Sequence, residues 1–323
     1  MNWSTLPSTV RWTIAGIFAL LVVASLVVRT IRRAKPDANL GELAARVRSW
    51  WVMVIVFVIA MVLSRTVSLV FFAFVSFLAL KEYFSNTPVR LEDRRPLFWA
   101  YLAIPLQYYW IGIEWYGLFI IFIPVYCFLA IPIRMLVIGQ TDGYLRAAAT
   151  IHWGLMICVF CLSHAAFLLI LRPADDVTML AGPGLVLFLV VLTQLNDVAQ
   201  YIWGKSLGKH RIVPRVSPGK TWEGFLGGAV TTTALACFLG PTLTPMTIAQ
   251  SAIAGALIAV VGFFGDINLS ALKRDVGIKD SGSLLPGHGG ILDRVDSLTY
   301  TAPIFFHYVY YLFRWQTFGT TGG

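Results

Sequence analysis

The sequence predicts an all-α polytopic integral membrane protein, with about ten transmembrane helices and charged cytoplasmic loops. Three observations lead to this fold class. Of the 323 residues, 58% are hydrophobic and only 13% are charged. Long apolar runs recur along the whole chain, and basic residues gather in alternate connections between them. Because a soluble domain carries more charge on its surface, this composition favours a chain that folds in lipid.

The apolar runs are long enough to cross the hydrocarbon core of a bilayer, which takes about 20 residues. Only Arg65 separates the second run from the third, so these two form either a tight helical pair or one long bent element. The predicted spans are 12–28, 50–64, 66–80, 98–112, 115–135, 149–171, 179–203, 224–240, 247–264 and 297–314. We divide the chain into an N-terminal transmembrane region, 1–175, and a C-terminal transmembrane catalytic region, 176–323.

The basic residues predict the orientation of these spans. With the N-terminus outside, lysines and arginines favour one side of the membrane by roughly five to one, and such a side is normally cytoplasmic. An even number of spans then places both termini outside. The few basic residues on the opposite side are Arg11, Arg65, Arg172 and Arg314.

The net charge of +9 comes from 25 basic and 16 acidic residues. In a membrane protein such an excess serves orientation and attraction to anionic head groups, so we expect a lipid bilayer as the partner and no nucleic acid. The four cysteines all lie in apolar runs. Cys158 and Cys161 form a C-x-x-C pattern without further metal ligands, so we interpret them as small buried apolar side chains.

Two predicted cytoplasmic connections concentrate the polar residues. The first is "QLNDVAQYIWGKSLGKHRIVPRVSPGKTWEGFLGG", residues 194–228, and the second is "GDINLSALKRDVGIKDSGSLLPGHGGILDRVDS", residues 265–297. If the ninth span continues as a helix, Asp266, Ser270 and Lys273 share one face. Asp293 and Asp296 lie where the last span begins. Acidic and basic groups therefore approach one another from two helix ends, with a glycine-rich turn between them.

This mixture of residue types suits the binding of a metal and a phosphate. Carboxylates bind Mg²⁺, which shares its shell with substrate phosphates. Lysines and arginines neutralise the remaining phosphate oxygens, and glycines let backbone N–H groups approach an anion. Simpler interpretations stay open, because loop lysines also mark the cytoplasmic side and Asp293 with Asp296 also suits a helix N-terminus.

The second connection resembles the signature of CDP-diacylglycerol synthases, also called phosphatidate cytidylyltransferases. The resemblance rests on "SALKRDVGIKDSGSLLPGHGGILDRVD", residues 270–296. The first connection is similar to the same family through "VSPGKTWEGFLGG" and the preceding "NDVAQYIWGKSLGKH". Two positions depart from the family pattern: Leu269 stands where members often carry Glu, and Gln200 replaces a small residue.

The resemblance implies that the enzyme transfers the cytidylyl group of CTP to phosphatidic acid or a similar lipid phosphate, releasing pyrophosphate. It implies Mg²⁺ at Asp266 and Asp293, with a second cation left open, and a homodimer is an expectation from such membrane enzymes. The implied catalytic residues are Asp266, Lys273, Arg274, Lys279, Asp280, His288, Asp293 and Asp296. The implied substrate-binding residues are Asp197, Ser217, Lys220, Thr221, Glu223, Ser270, Gly289, Gly290 and Arg294.

Three other functions compete with this interpretation. A multi-span CTP-dependent lipid kinase would transfer the γ-phosphate and release CDP. A CDP-alcohol phosphotransferase handles similar lipids, but its D-x-x-D-G-x-x-A-R pattern is absent from the sequence. A transporter would place ionisable residues and broken helices near the bilayer midplane, whereas here the charges gather at one face.

Overall fold

A computed structural model describes residues 6–34, 41–88, 90, 94–137, 139, 141–171, 182–282, 284 and 289–319, with the backbone alone for 314–319. The described residues are helical apart from short connections, which include an isolated bridge between Arg211 and Thr221. The prediction of an all-α protein is therefore confirmed. The helices are α1 Ser8–Ala34, α2 Gly41–Leu63, α3 Arg65–Asn86, α4 Arg94–Gly112, α5 Tyr116–Leu136, α6 Tyr144–Leu168, α7 Gly182–Leu207, α8 Trp222–Leu243, α9 Ile248–Asp275 and α10 Leu292–Gly319.

Within these described residues, eight helices are long and apolar enough to cross a membrane: α1, α2, α3, α5, α6, α7, α8 and α9. Helices α4 and α10 contain the predicted spans 98–112 and 297–314 but do not meet that criterion. Both begin with charged residues, Arg94 and Arg95 in α4 and Asp293 in α10. The predicted count of ten spans is not confirmed.

The second and third apolar runs form two helices, which settles the choice left open by the sequence. Ser64 breaks the helix between them, and its hydroxyl accepts a hydrogen bond from the N–H of Val67 at 3.1 Å. This side-chain cap satisfies one of the free N–H groups at the start of α3. Both helices extend well beyond the predicted apolar runs.

Helices α5 and α6 each contain a π-helical segment that the sequence pattern did not predict. The segments are Phe122–Cys127 and Met156–Cys161. Such segments insert an extra residue into a helical turn and often occur near functional sites. The C-x-x-C pair lies in the second segment, with both thiols free and Cys158 fully buried, as predicted from its apolar surroundings.

Helix α8 packs along α7 and α9, and α9 packs along α10. Glycines permit these close approaches. A Cβ on Gly228 would lie 2.5 Å from Cγ of Gln200, and one on Gly265 would lie 2.8 Å from the carbonyl oxygen of Asp296. Small residues at helix contacts are typical of membrane bundles, where packing rather than hydrophobic burial favours association. The close approaches bring the ends of α7, α9 and α10 to the same place.

Helices α3 and α6 from the N-terminal region also pack against α10. The predicted regions 1–175 and 176–323 therefore share an interface, and α10 lies at that interface. The division itself stays a prediction.

Candidate active site

The polar connections meet at one end of the helix bundle. Asn86, at the end of α3, donates a hydrogen bond from Nδ2 to the carbonyl oxygen of Ser281 at 2.5 Å. Arg274, in the last turn of α9, donates from Nε to the carbonyl oxygen of Val216 at 3.3 Å. These contacts join the end of α3, the connection before α8 and the connection before α10. They place the two motif-bearing connections side by side, as the sequence predicted.

Three carboxylates from three helices converge at this end. Asp197 lies in α7, Asp266 in α9 and Asp296 near the start of α10, and all three are partly buried. They are close enough to repel one another electrostatically. Lys220, in the connection before α8, reaches into the cluster, with Nζ 2.5 Å from Oδ2 of Asp266. Three carboxyl groups therefore lie around one lysine.

Lys220 is held in its charged form by this cluster. Burial alone would lower the pKa of Lys220, but the neighbouring Asp266 and Asp197 outweigh it and raise the pKa above the ordinary lysine value. Its Nζ also donates to Oε1 of Gln200 at 3.1 Å. The lysine side chain keeps 18% exposure, so an anion from the solvent side can reach it.

Serine hydroxyls and a backbone N–H orient the carboxylates. Ser270 donates from Oγ to Oδ1 of Asp266 at 3.3 Å, one helical turn away on α9. Ser297 donates from Oγ to Oδ1 of Asp197 at 3.1 Å and from its backbone N–H to Oδ1 of Asp296 at 2.8 Å. The predicted shared face of Asp266 and Ser270 is therefore present.

A second ion pair lies beside this cluster. Lys273 Nζ is 2.8 Å from Oδ1 of Asp293, and Oδ2 of Asp293 accepts hydrogen bonds from the N–H groups of Ser281 at 2.8 Å and Gly290 at 2.9 Å. Gly289 has a φ of +79°, and a Cβ there would lie 2.6 Å from Oδ2 of Asp293. The turn thus needs glycine for both its backbone conformation and the close carboxylate.

The predicted substrate-binding residues of the first connection make internal contacts. Glu223 Oε2 accepts from the N–H groups of Lys209 at 3.0 Å and His210 at 3.2 Å, and Oε1 is 2.6 Å from the His210 ring. Thr221 caps α8 by accepting from the N–H of Gly224 at 3.1 Å. The carbonyl oxygen of Ser217 accepts from the N–H of Lys220 at 3.2 Å. These contacts fix the loop that presents Lys220.

The other predicted residues lie around the same end. Arg274 links the connection before α8 to the connection before α10, because it also donates from Nη1 to the carbonyl oxygen of Ile278 at 3.1 Å. Lys279 and Asp280 are exposed to solvent. Arg294 is partly buried and attracts Asp197 electrostatically. The predicted site residue His288 lies outside the described residues.

Comparison with known proteins shows to which family the chain belongs. The model of the cytidylyltransferase family matches residues 44–312, which include every residue of the site described above. The chain belongs to the cytidylyltransferase family. The resemblance found in the two motifs is confirmed, and the match extends well upstream of residue 195, where the sequence motifs begin.

Several relatives share much of this cytidylyltransferase sequence. The chain is 46% identical over 299 residues to "Uncharacterized protein YnbB" of Escherichia coli (strain K12), covering 93% of this chain and 98% of the relative. It is 33% identical over 228 residues to the phosphatidate cytidylyltransferase of Helicobacter pylori, covering 71% and 79%. With that of Pseudomonas aeruginosa the identity is 43% over 145 residues, covering 43% and 54%. The chain thus spans only about half of some of these relatives.

The acidic cluster of this chain fits a divalent cation by its donor chemistry. Asp197, Asp266 and Asp296 offer carboxyl oxygens around a single nearby lysine, and they interact electrostatically with one another. Mg²⁺ takes one or two protein carboxylates and completes its shell with water and phosphate oxygens. Among the described residues, no three His, Cys, Asp or Glu side chains are grouped so that they could hold a metal ion by themselves.

The sequence analysis missed Glu82, a residue of this site from the N-terminal region. Glu82 lies in the last turns of α3, and its carboxylate accepts the N–H groups of Ile291 at 2.9 Å and Leu292 at 2.8 Å. The available signal was a lone acidic residue directly after the apolar run "VSFLALKE". The pattern could not reveal its partners, because they lie about two hundred positions away along the chain.

A large apolar cavity of about 910 Å³ lies between α5, α6 and α10 of the cytidylyltransferase. Phe128, Ala148 and Tyr300 are among its lining residues, and both π-helical segments contribute to the walls. Tyr300 follows Asp296 by one helical turn on α10, which puts the two residues on the same face. The wall of the cavity therefore begins within one turn of α10 from Asp296.

Proposed function

We propose that this chain transfers the cytidylyl group of CTP to phosphatidic acid or a similar lipid phosphate, giving CDP-diacylglycerol and pyrophosphate. The observation that carries the proposal is the convergence of Asp197, Asp266 and Asp296 around Lys220, at one end of a bundle of apolar helices. Membership of the cytidylyltransferase family supports the donor. The printed names of the Helicobacter and Pseudomonas relatives support the acceptor.

The reaction requires positioning and charge neutralisation rather than a protein nucleophile. An oxygen of the lipid phosphate attacks the α-phosphorus of CTP, the bond from that phosphorus to the bridging oxygen breaks, and pyrophosphate leaves with the electron pair. A phosphate monoester is largely ionised near neutral pH, so no base is needed to remove a proton. Preorganised charges at the transferring phosphate are the largest expected contribution to the rate.

Each charged group then has a role that its position allows. Lys220, charged and accessible, binds phosphate oxygens of the nucleotide or the lipid. Asp266 and Asp296 would hold Mg²⁺, which would supply positive charge to neutralise the triphosphate. Asp293, the other predicted metal ligand, has both oxygens engaged by Lys273, Ser281 and Gly290, just as Asp266 has its oxygens engaged by Lys220 and Ser270. The contacts of Asp293 favour a role in shaping the glycine turn, and metal binding by Asp293 stays a prediction.

The apolar cavity supplies a place for the acyl part of the substrate. It is lined almost entirely by apolar side chains. Tyr300, one of the lining residues, follows Asp296 by one turn of α10. A lipid phosphate with its chains in the cavity would present its head group to the acidic cluster. The predicted cytoplasmic exposure of the site and the predicted homodimer remain part of this proposal.

The deciding experiment analyses the products of the purified protein. The protein in detergent is incubated with phosphatidic acid, Mg²⁺ and CTP labelled at the α-phosphate, and the Asp266→Asn variant serves as the inactive control. We expect the label in a lipid product and pyrophosphate in solution. In a parallel reaction with diacylglycerol, which has the free hydroxyl that phosphatidic acid lacks, release of CDP together with a phosphorylated lipid would instead identify a lipid kinase. Absence of turnover in both reactions would contradict an enzymatic role.

A further inference from the structure

Glu82 contacts the segment that connects the glycine turn to α10. Its Oε1 accepts from the N–H of Ile291 at 2.9 Å, and its Oε2 accepts from the N–H of Leu292 at 2.8 Å and from the hydroxyl of Ser281 at 3.3 Å. The first N–H groups of a helix have no partner within the helix, and its positive end favours an anion. A carboxylate from α3 therefore caps α10 across the bundle.

Two glycines of the turn lie against this carboxylate, where a side chain would not fit. A Cβ on Gly290 would lie 2.3 Å from Oε2 of Glu82, and one on Gly282 would lie 3.0 Å from Oε1. Any side chain at position 290 would therefore displace Glu82 or the turn. The resemblance implied that Gly290 binds substrate, and its immediate neighbour in the described structure is the Glu82 carboxylate.

Asp293 holds the same turn from its other side. It accepts the N–H groups of Ser281 and Gly290, so both carboxylates contact Ser281 and the residues just before α10. Asn86, one helical turn after Glu82, adds a hydrogen bond to the carbonyl oxygen of Ser281. Helix α3 thus contacts the turn through two side chains, and the turn leads directly to Asp293 and Asp296.

We propose that Glu82 is a positioning residue of the active site: by capping α10 from α3 it fixes the glycine turn and thereby the orientation of Asp293, Lys273 and Asp296. Its action is indirect, through the turn, and requires no contact with substrate. The activity readout of this inference rests on the proposed cytidylyl transfer, whereas its conformational readout does not.

The test compares Glu82→Gln with Glu114→Gln, the same chemical change at a glutamate paired with Arg65 away from the site. Glu82→Gln keeps the size of the side chain but replaces one acceptor oxygen by an NH₂ group, which donates hydrogen bonds and cannot accept them. We expect kcat to fall about tenfold or more, because small misplacements of reacting groups have large effects on rate. The KM for CTP should change less than about threefold, and the melting temperature should stay within about 2 °C of wild type. Glu114→Gln should leave kcat unchanged.

Hydrogen–deuterium exchange gives the readout that is independent of activity. In Glu82→Gln the peptide covering 281–296 should exchange faster, while the peptide covering 208–222 should not change. Unchanged exchange across 281–296 would overturn the inference even if the wild-type protein does not use CTP. Faster exchange with wild-type kcat would also overturn it, because the cap would then be structural only.

A second pair of variants keeps the test decisive if Glu82→Gln folds poorly. Glu82→Asp retains the charge on a shorter side chain and should recover part of kcat relative to Glu82→Gln. Asn86→Ala removes the hydrogen bond to Ser281 and should increase exchange of the same peptide. Equal kcat losses in Glu82→Asp and Glu82→Gln, without faster exchange in Asn86→Ala, would contradict positioning through the turn.

Discussion

At the residue scale, Lys220 shows how a buried cation is prepared for an anionic substrate. Its pKa is raised by Asp266 and Asp197 against the effect of burial, so it stays protonated throughout the physiological range. Stability from this lysine is present below its unfolded pKa and is lost only as the pH rises through the higher folded value. The site therefore offers a permanent positive charge to phosphate.

We expect Lys220→Ala to raise the KM for CTP or for the lipid phosphate by about tenfold or more. The change removes a charge-assisted contact that contributes roughly 1.5–3 kcal/mol. Steady-state kinetics with each substrate varied in turn measures the effect. Lys209→Ala, which removes an exposed lysine of the same connection, should leave both KM values unchanged. Equal kinetics for the two variants would show that Lys220 only marks the orientation of the protein.

We expect Asp266→Asn and Asp293→Asn each to lose activity by about a hundredfold or more, the order expected for a lost electrostatic catalytic group. Asparagine keeps the size of the side chain but removes the charge that pairs with Lys220 or Lys273. Asp275→Asn, at an exposed position at the end of α9, is the control and should remain active.

Specific activity and thermal stability are measured on the same purified samples of these variants, over a range of Mg²⁺ concentrations. Added Mg²⁺ should restore neither variant fully. Variants that are unstable but fully active per folded molecule would show that Asp266 and Asp293 form structural salt bridges only.

The sequence identified most residues of this site because they lie in two short motifs with characteristic spacing. Asp266, Ser270 and Lys273 could be placed on one face from helical periodicity alone. The partners of these residues could not be derived in the same way. The sequence left open whether Asp293 binds a metal together with Asp266 or forms a salt bridge with Lys273 or Arg294. The ion pair with Lys273 and the cap formed by Glu82 depend on how the helices pack.

At the element scale, apolar length predicted where helices occur but not how they bend. Each predicted span lies mostly within a helix of the described structure, and Ser64 explains why two adjacent runs are separate helices. The π-helical segments of α5 and α6 have no comparable signal, since an inserted residue in a turn leaves an all-apolar run apolar. The cavity that these segments border was therefore not predicted.

We expect Ala148→Phe to raise the KM for the lipid phosphate about tenfold without changing the KM for CTP. The alanine lies on α6 in the cavity wall, and a phenyl ring there would exclude part of an acyl chain. If two methylene groups of the acyl chain lose their burial in the cavity, lipid binding weakens by about 1.6 kcal/mol. Ala234→Phe, on the exposed side of α8, is the control for adding a ring to a helix. Equal lipid kinetics in both variants would exclude the cavity as the acyl site.

At the scale of the whole molecule, the charge pattern and the contacts between connections agree. Arg90, in the connection after α3, donates a hydrogen bond to the carbonyl oxygen of Asp142 before α6, and Arg274 contacts the connection before α8. The ion pair of Arg65 with Glu114 joins the α2–α3 and α4–α5 turns, which the prediction assigns to the opposite side. The distribution of lysines and arginines could thus predict which connections lie at the same end of the helix bundle. The compartment that this end faces stays a prediction.

Labelling of single cysteines tests the predicted orientation in intact cells. The background has the four native cysteines replaced by alanine and must first retain the activity of the wild-type protein. Cysteines are then introduced one at a time at Ser206 and Lys279, in the two charged connections, and at Thr242, near the end of α8. Because basic connections are retained on the cytoplasmic side, a membrane-impermeant thiol reagent should label Thr242→Cys from outside and the other two only after lysis. Labelling of Ser206→Cys or Lys279→Cys in intact cells would invert the topology. It would also place the acidic cluster on the side opposite to the cytoplasmic pool of CTP, which the proposed reaction requires.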